Sequence, residues 1–595
     1  MELVCPFSCL ASVEGYNAHF MEGSRLNSYH PIKLEIYRNL FSSIAQEMGT
    51  VLRRTAYSPN IKERRDYSCA LFDDQGQLVA MGDHMPVHLG SMPLAVQAAL
   101  DAFALDPGDV VVLNDPFAGG THLPDVTMVA PLYEPSNPSR PVSFVACRAH
   151  HSDVGGISPG SMPLSTDIFQ EGIRIPPIKL YKRGNLNRDL LRLVLCNVRT
   201  PVEREGDLAA QVGSLKVGEK RLLGLVEKNG LQEVNDYMRA LQDYGERVMK
   251  QVISTIPDGC YRAEDLLDDD GGAVKPTPGK SLKIKVTVDV RGERMKVNFN
   301  GSHPQVRGCM NAVEAITRAA VYYVLRCLAP EDTPASAGLI RPVEVIIPAG
   351  TIVNAGYPAA TAGGNVETSQ RIVDVLLKAL STAGLDNMPA ASAGTMNNLS
   401  LGSVGPDTGQ TFSYYETIGG GMGASSQADG DSGIHTHMTN TLNTPIEVLE
   451  NYFPVRVKEY RLRRGSGGAG KFRGGDGIIR SLEMLADCQV TMLSERRRYA
   501  PFGLRGGSSG KTGHNYLVVK GQRKKLPGKF SLSLSKGDVI RIETPGGGGW
   551  GKREQQTIDN RQQTERHGQT DHRQQTTDNR QLTKDNGPQT DSSEN

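Results

Sequence analysis

The order of helix and strand patterns along this chain is the feature that most limits its fold. Apolar residues, Leu40 and Phe41 among them, recur on one face at helical spacing over residues 32–56, which predicts a helix that buries this face. Two short apolar runs around residues 73–76 then indicate a hairpin. Short strands are expected at 110–113, 126–129 and 143–146. Helices and strands therefore mix without a regular βαβ alternation. This predicts a multidomain α+β (mixed α/β) protein and excludes a doubly wound sheet.

The second half of the chain shows the same mixture. Residues 207–255 are predicted as two helices broken near Gly230, and alternating apolar residues from Leu282 to Val290 predict a hairpin that turns at 291–293. Another helix is expected over residues 312–328. A glycine-rich region with strand-like patterns then continues to about residue 551. The chain has 65 glycines, which predict many tight turns and close approaches between backbone segments.

Charge and cysteine usage limit the partners and the compartment. Lys and Arg number 66 and Asp and Glu 65, so no global field attracts nucleic acid or an anionic membrane. The nine cysteines are scattered without a CxxC pair, which is typical of the cytoplasm. No apolar run approaches the ~20 residues of a membrane-spanning helix, and the first residues lack the basic start of a signal peptide.

The densest group of potential ligands lies in two segments, NDPFAGGTHLPDVTMVAPL and SFVACRAHHSDVGGISPGSMP. They contain His122, Asp125, His150, His151 and Asp153. A strand after Asp125 would allow the returning chain to bring His150 beside His122 and Asp125. Two imidazoles and one carboxylate suit a divalent metal with open positions, which lowers the pKa of a bound water toward ~7 and polarises a carbonyl.

The residues alone leave two interpretations of this group open. Five such side chains within residues 122–153 also suit a hydrogen-bonded polar loop that holds no ion. Spacing by itself slightly favours the polar loop over the metal site.

A second polar segment, QADGDSGIHTHMTNTLNTP, offers two carboxylates and an HxH pair. If the pair lies on a strand, both rings project from the same face. A loop or subunit contact shaped by glycine-flanked polar residues is the better interpretation, while a metal site or substrate pocket stays open. The candidate substrate-binding residues are Asp429, Asp431, His435 and His437. His84 and His88, in DHMPVHLG, are expected to be structural.

Two further segments imitate a phosphate-binding P-loop, which requires GxxxxGK[ST] between a strand and a helix. In GSGGAGKF, Phe472 replaces the Ser or Thr that would bind magnesium. In GLRGGSSGKT, Arg505 takes the position of the first glycine, and no apolar strand precedes it. Both segments are predicted to be turns, and no nucleotide site is assigned to this chain.

Several of these segments resemble the hydantoinase B and oxoprolinase family. The resemblance lies in NDPFAGGTHLPDVTMVAPLY, in RAHHSDVGGISPGSMP, in the N-terminal block GTVLRRTAYSPNIKERRDYSCALFDDQGQLVAMGDHMPVHLGSMP and in the block GGGMGASSQADGDSGIHTHMTNTLNTPIEVLE. It covers roughly residues 31–551. The family includes the B half of 5-oxoprolinase and N-methylhydantoinase, and a related component of ATP-dependent acetone and acetophenone carboxylases.

This resemblance implies a set of metal ligands. In the carboxylase relatives a His, Asp, His set binds a divalent metal, and by motif position these ligands fall on His122, Asp125 and His150. His151 and Asp153 remain as the catalytic candidates, which would orient the ligands or the substrate. The ion itself, whether Mn, Zn, Fe or Mg, is not distinguished.

The resemblance also implies a function and a partner. The chain would be the B-type subunit of an ATP-dependent hydrolase that opens 5-oxoproline, as in glutathione metabolism, or a hydantoin. An A-type subunit in the same hetero-oligomer would use ATP to phosphorylate the oxygen of the lactam or imide, and water activated by the metal would attack the carbon that bears this oxygen. Two alternatives stay open, a subunit of a ketone carboxylase and a non-catalytic scaffold subunit.

Four regions of the chain are expected. Residues 1–30 form an extension without an assigned function, and residues 31–270 form a domain that carries the metal site. Residues 271–551 form one or more mixed, β-rich domains. Residues 552–595, rich in Gln, Thr, Asp, Asn and Arg, form a disordered tail.

Overall fold

The structure, a computed structural model, describes residues 29–82, 84–134, 139–272, 282–404 and 411–553. Within these ranges ten α-helices and four β-sheets occur, so the predicted α+β, multidomain class is confirmed. None of the helices in these ranges combines the length and apolar character needed to cross a membrane. The predicted extension and tail lie outside the described residues, apart from residues 29–30 and 552–553.

The elements follow one another in an irregular order, as the sequence patterns predict. The helices are α1 (Pro31–Thr55), α2 (Pro59–Lys62), α3 (Pro86–Leu89), α4 (Met92–Ala102), α5 (Arg188–Leu195), α6 (Pro201–Asn229), α7 (Leu231–Ser254), α8 (Glu314–Leu328), α9 (Ser369–Ser381) and α10 (Ile446–Tyr452). A π-helical turn, Gly364–Thr368, leads into α9.

Twenty strands build the four sheets of the described residues. The strands are β1 (Tyr67–Phe72), β2 (Leu78–Met81), β3 (Val110–Leu113), β4 (Asp125–Leu132), β5 (Ser143–His150), β6 (Ile178–Lys182), β7 (Asn185–Leu186), β8 (Gly259–Leu267), β9 (Leu282–Arg291), β10 (Arg294–Asn298), β11 (Val343–Ile346), β12 (Asn398–Val404), β13 (Thr411–Glu416), β14 (Val455–Arg463), β15 (Gly477–Met484), β16 (Cys488–Leu493), β17 (His514–Val519), β18 (Gln522–Leu526), β19 (Phe530–Leu534) and β20 (Val539–Glu543).

The seven-stranded sheet organises the N-terminal half. Its order is β2-β1-β5-β4-β3-β6-β7, and all neighbouring strands are antiparallel. One face, which carries Cys69 and Met128, packs in the same apolar core as α1, α6 and α7. The other face, which carries Val129 and Ala146, packs against α4. Because both faces are covered, the central strands are mainly apolar, and most polar residues of β4 and β5, such as Thr127 and Arg148, lie at the end near Asp125 and His150.

Most elements predicted from periodicity are confirmed. The first helix is α1, the hairpins are β1-β2 and β9-β10, and the break at Gly230 separates α6 from α7. One detail was wrong. Leu40 was assigned to the buried face of α1, but its side chain is 38% exposed, whereas Phe41 is fully buried.

Three smaller sheets lie in the second half. Their orders are β11-β10-β9-β8, β13-β12-β16-β19 and β14-β15-β20-β17-β18. Strand β8 precedes the expected domain boundary at residue 270, and it pairs along its whole length with β9, which follows that boundary. One sheet therefore spans the position at which the two domains were expected to separate.

Closely packed glycine segments explain much of the composition. We define the glycine bundle as residues 419–423, 465–477, 503–510 and 546–549. Its backbones hydrogen-bond directly, for example Gly475 N to Met422 O at 2.8 Å and Gly547 N to Gly475 O at 2.9 Å. A Cβ atom on Gly547 would lie 1.9 Å from Met422 O. Both P-loop-like segments overlap this bundle, and no helix follows either of them within the described residues.

We expect Gly547→Ala to lower the free energy of unfolding by about 1–3 kcal/mol, because the new methyl group meets a backbone that cannot move aside. Gly213→Ala is the control, since a Cβ atom on this α6 glycine meets nothing within 4 Å. It should leave stability unchanged or raise it by up to about 1 kcal/mol. Urea unfolding measures both, and equal stability of the two variants would show that the bundle tolerates side chains.

Candidate metal centre

Two adjacent strands bring the predicted ligands together. Asp125 begins β4, His150 ends β5, and the two residues are direct partners in the antiparallel ladder. His122 lies in the loop before β4, where Asp125 N donates to His122 O. One ligand atom from each of the three side chains lies within 4.8 Å of the others, and all three are buried. The chain thus returns through β5 and brings His150 beside His122 and Asp125, as the sequence predicts.

The distances in this triad suit a shared ion. His122 Nε2 lies 3.1 Å and His150 Nδ1 lies 3.3 Å from the same carboxylate oxygen, Asp125 Oδ1. Two atoms bound to one ion at about 2.1 Å are themselves about 3.0–3.4 Å apart at octahedral or tetrahedral angles. His122 Nδ1 and His150 Nε2 have no hydrogen-bond partner among the described residues, although both are buried. The donor set and its geometry therefore fit a divalent metal.

The protonation states also suit metal binding. Burial by itself would raise the pKa of Asp125, but the imidazoles of His122, His150 and His88 outweigh burial and hold that pKa well below its usual value. Burial lowers the pKa of His150, against the opposing effect of Asp125. An ionised carboxylate and a neutral imidazole are the forms that coordinate metals.

His88 belongs to this site, contrary to the expectation that it is only structural. Its Nε2 atom lies 3.5 Å from Asp125 Oδ2, and its Nδ1 atom shares a 2.9 Å hydrogen bond with Ser68 Oγ. It therefore faces Asp125 Oδ2, the carboxylate oxygen that also accepts a 2.7 Å hydrogen bond from Thr121 Oγ1. His84 is different, because its ring packs against Tyr67 and burial lowers its pKa to about 4.

The second half of the chain supplies two more neighbours that the sequence did not predict. Asn365, in the π-helical turn, places its amide 3.1 Å from His122 Nε2, and its Oδ1 atom has no partner among the described residues. The amide nitrogen and oxygen are interchangeable by rotation, so this side chain can present its oxygen to the triad. The Tyr415 ring stacks on His150 at 4.6 Å between centroids. π-Helical turns are frequent at functional sites, but the pattern GGNVET gives no sequence signal of one.

His151 and Asp153, the catalytic candidates, are held by the scaffold. His151 Nε2 shares a 2.9 Å hydrogen bond with Gln211 of α6, and Asp153 pairs with Arg199 at 2.9 Å. Both line a mainly apolar pocket between the sheet, α5 and α6. Their catalytic role stays a prediction, and these contacts give them a part in fixing the loop that follows His150.

The four candidate substrate-binding residues lie in a loop and not on a strand. His435 and His437 lie outside the strands, and His437 has a φ of 58°, so no strand places the two rings on one face. His437 Nε2 lies 3.7 Å from Asp374, whereas Asp429 accepts a hydrogen bond from Arg473 N in the glycine bundle. Asp431 is exposed, and its backbone carbonyl accepts from Met422 N. Among the described residues, the triad is the only group of three or more such side chains close enough to hold an ion.

Comparison with known proteins identifies the family of this chain. The family model of hydantoinase B/oxoprolinase matches residues 30–553. 5-Oxoprolinase 1 of Arabidopsis thaliana is 39% identical over 87% of this chain and 42% of that protein. The B-type subunit of a putative D-/L-hydantoinase from a Pseudomonas species is 32% identical over 88% of this chain and 90% of its own length. The chain thus spans less than half of the plant protein and most of the bacterial one.

Solved structures share the fold. The ATP-dependent caprolactamase from Pseudomonas jessenii superposes with a TM-score of 0.81 and 29% identity, over 90% of this chain and 94% of that one. A nucleotide-free acetone carboxylase gives a TM-score of 0.82 at 17% identity, over 91% and 79% of the two chains, and at that identity the likeness concerns the fold alone. The chain belongs to the hydantoinase B/oxoprolinase family.

Proposed function

We propose that this chain is the metal-binding B-type subunit of an ATP-dependent hydrolase that opens a cyclic amide, either 5-oxoproline or a hydantoin. The observation that carries the proposal is the buried triad, in which two imidazole nitrogens lie 3.1 and 3.3 Å from one carboxylate oxygen. Relatives named 5-oxoprolinase and hydantoinase, and a structural neighbour named caprolactamase, all carry names of cyclic-amide chemistry.

The residues of this chain would hold and orient the ion. His122, Asp125 and His150 are the ligands, and Thr121 Oγ1 donates a 2.7 Å hydrogen bond to the second oxygen of the Asp125 carboxylate. His88 Nε2 faces the same oxygen at 3.5 Å. A divalent ion bound there lowers the pKa of a water molecule toward ~7 and polarises a carbonyl. The stacked Tyr415 ring fixes the plane of His150 and covers it from bulk water.

The ATP-dependent step is assigned to an A-type partner. Within the described residues, neither P-loop-like segment has a strand before it and a helix after it. The plant 5-oxoprolinase is more than twice as long as the matched region, while the bacterial hydantoinase chain is matched over 90% of its length. These lengths are consistent with an A-type partner that phosphorylates the amide oxygen and is fused to the B-type region in the plant protein but separate in the bacterial one. We expect this chain and its partner to form a hetero-oligomer in the cytoplasm.

The first test measures the ion. The full chain, purified with added divalent metal and dialysed, is expected to retain about one ion, and Asp125→Asn to retain less than about 0.1, because three protein ligands define such a site. His303→Ala is the control, since this histidine lies outside the triad and its Nδ1 atom bonds to Pro304 O. Metal analysis of the three proteins decides the point, and an Asp125→Asn variant with the full complement of ion would contradict the assignment.

The second test measures turnover in the complex. Co-expressed with its A-type partner, the chain should release glutamate from 5-oxoproline only with ATP and a divalent metal. Asp125→Ala should reduce this rate roughly 1,000-fold or more, because the ion contributes several kcal/mol to the transition state. His303→Ala should keep the wild-type rate.

Other outcomes of this assay identify the alternatives. ATP-dependent incorporation of labelled bicarbonate into a ketone, without glutamate release, would assign the complex to the carboxylases. Full complex activity in His122→Ala, together with no retained ion in the wild-type chain, would make this chain a scaffold.

A further inference from the structure

Buried arginines divide into two groups in this chain. Six arginine side chains are essentially inaccessible to solvent. Four of them pair with buried or nearly buried carboxylates, and these are Arg204, Arg371, Arg480 and Arg496. The other two, Arg64 and Arg148, have no carboxylate within 4 Å among the described residues. Both lie beside the candidate metal centre.

The strand ladder fixes where Arg148 lies relative to the triad. Arg148 and His150 are two positions apart on β5, so their side chains share one face of the sheet. The cross-strand partners of Arg148 are Ser68 and Thr127, and the partner of His150 is Asp125. Two polar rows therefore run side by side, about 7 Å apart. One contains Ser68, Arg148 and Thr127 on three strands, and the other contains His150 and Asp125 on two.

Hydrogen bonds hold the Arg148 guanidinium with one nitrogen left over. Its Nε donates to Thr127 Oγ1 at 2.7 Å, and its Nη1 donates to Ser91 Oγ at 2.6 Å. Its Nη2 is buried without any acceptor among the described residues. In Arg64 both Nη atoms have acceptors, which include Thr417 Oγ1 at 2.8 Å, and the unpartnered nitrogen is Nε. The four paired arginines also keep one nitrogen without a hydrogen bond, so the feature that singles out Arg148 is an unpartnered Nη atom together with the missing counter-ion.

A buried guanidinium without a counter-ion is costly unless an anion completes the site. The carboxylate one row away, Asp125, is the central ligand of the triad. A divalent ion held by Asp125 would add positive charge close to Arg148. An anionic group placed between the ion and Nη2 would then be attracted by both.

We propose that Arg148 Nη2 binds an anionic group of the ligand that occupies the metal centre. The inference deepens the proposed function and rests on it for the nature of that ligand. In 5-oxoproline the carboxylate and the amide carbonyl flank the ring nitrogen on opposite sides, so one can approach Arg148 while the other faces the triad. A phosphoryl group produced in the ATP-dependent step offers oxygens of the same chemistry.

The test compares charged and neutral ligands of one shape. Isothermal titration of the Mn²⁺-supplemented full chain would use 5-oxoproline, its uncharged analogue 2-pyrrolidone, and inorganic phosphate. Arg148→Met keeps a long side chain and removes the charge. Arg148→Lys keeps the charge and removes the paired Nη donors of the guanidinium. Arg64→Lys is the matched control, because Arg64 is equally buried and has no carboxylate within 4 Å among the described residues. Metal content is measured for every variant to verify that the triad is intact.

Arg148→Met is expected to weaken 5-oxoproline binding at least about 10-fold, since a hydrogen bond to a charged group contributes about 1.5–3 kcal/mol. Arg148→Lys should weaken 5-oxoproline binding less than Arg148→Met does. The affinity for 2-pyrrolidone should change less than about twofold in both variants, because this lactam has no charged group to contact Arg148. In the complex, the KM for 5-oxoproline should rise more than kcat falls. Arg64→Lys should affect the two lactams equally.

The remaining outcomes are equally decisive. A loss confined to phosphate would support anion binding at Arg148 and identify the phosphoryl group as its source. Equal losses for both lactams with phosphate unchanged, or a wild-type chain that binds none of the three probes, would overturn the proposal. Failure of the proposed function would be seen in a different measurement. The wild-type complex would then show no ATP-dependent glutamate release, whatever the titrations show for Arg148.

Discussion

The antiparallel pairing of β4 with β5 is the interaction on which the site depends. Eight consecutive pairs, from Asp125 opposite His150 to Leu132 opposite Ser143, fix the register. Side chains alternate between the faces of a strand, so a slip of one residue would turn one triad member toward the face that packs on α6. The apolar residues that cover both faces of the sheet make such a slip costly. The ligands are therefore positioned by the core, and a loop supplies only His122.

The ligands come from one sheet, whereas part of their surroundings comes from elements far along the chain. Asn365 touches His122, and Tyr415 covers His150 from β13. The Tyr415 hydroxyl donates a hydrogen bond to Asn398 of β12, which holds Tyr415 in the second half of the chain. Ordering such distant segments costs conformational entropy, which the apolar contacts between the halves must offset. The sheet alone would hold the triad without the groups that enclose it.

The sequence predicted what depends on local periodicity or on nearby residues. Helix α1, the β9-β10 hairpin and the approach of His150 to Asp125 belong to this class, because each follows from spacing within one or two elements. His88 and Asn365 could not be found in this way. His88 lies in a four-residue helix and Asn365 in a π-helical turn, and neither is long enough to show a period. The HxH pair shows the limit of an inference from spacing, and its role as a substrate-binding pair stays a prediction. Its shared face depends on a strand that does not form, and the left-handed backbone of His437 is incompatible with a regular strand.

The distribution of buried charge is a second, independent indication of where ligands bind. Away from the triad, this chain neutralises its buried cations with carboxylates. Arg480 pairs with Glu416 at 2.7 Å, and Lys529 lies between Glu495 and Asp269. Such pairs satisfy themselves and need no ligand. Beside the triad, the described part of the chain does not neutralise Arg148 in this way, and nitrogen atoms of His88, His122, His150 and Arg148 lack partners there. Unpartnered nitrogens also occur on the paired arginines, for example Arg480 Nη1. The feature that marks this position as the candidate binding site is therefore the missing counter-ion of Arg148 next to a carboxylate oxygen that two imidazoles share.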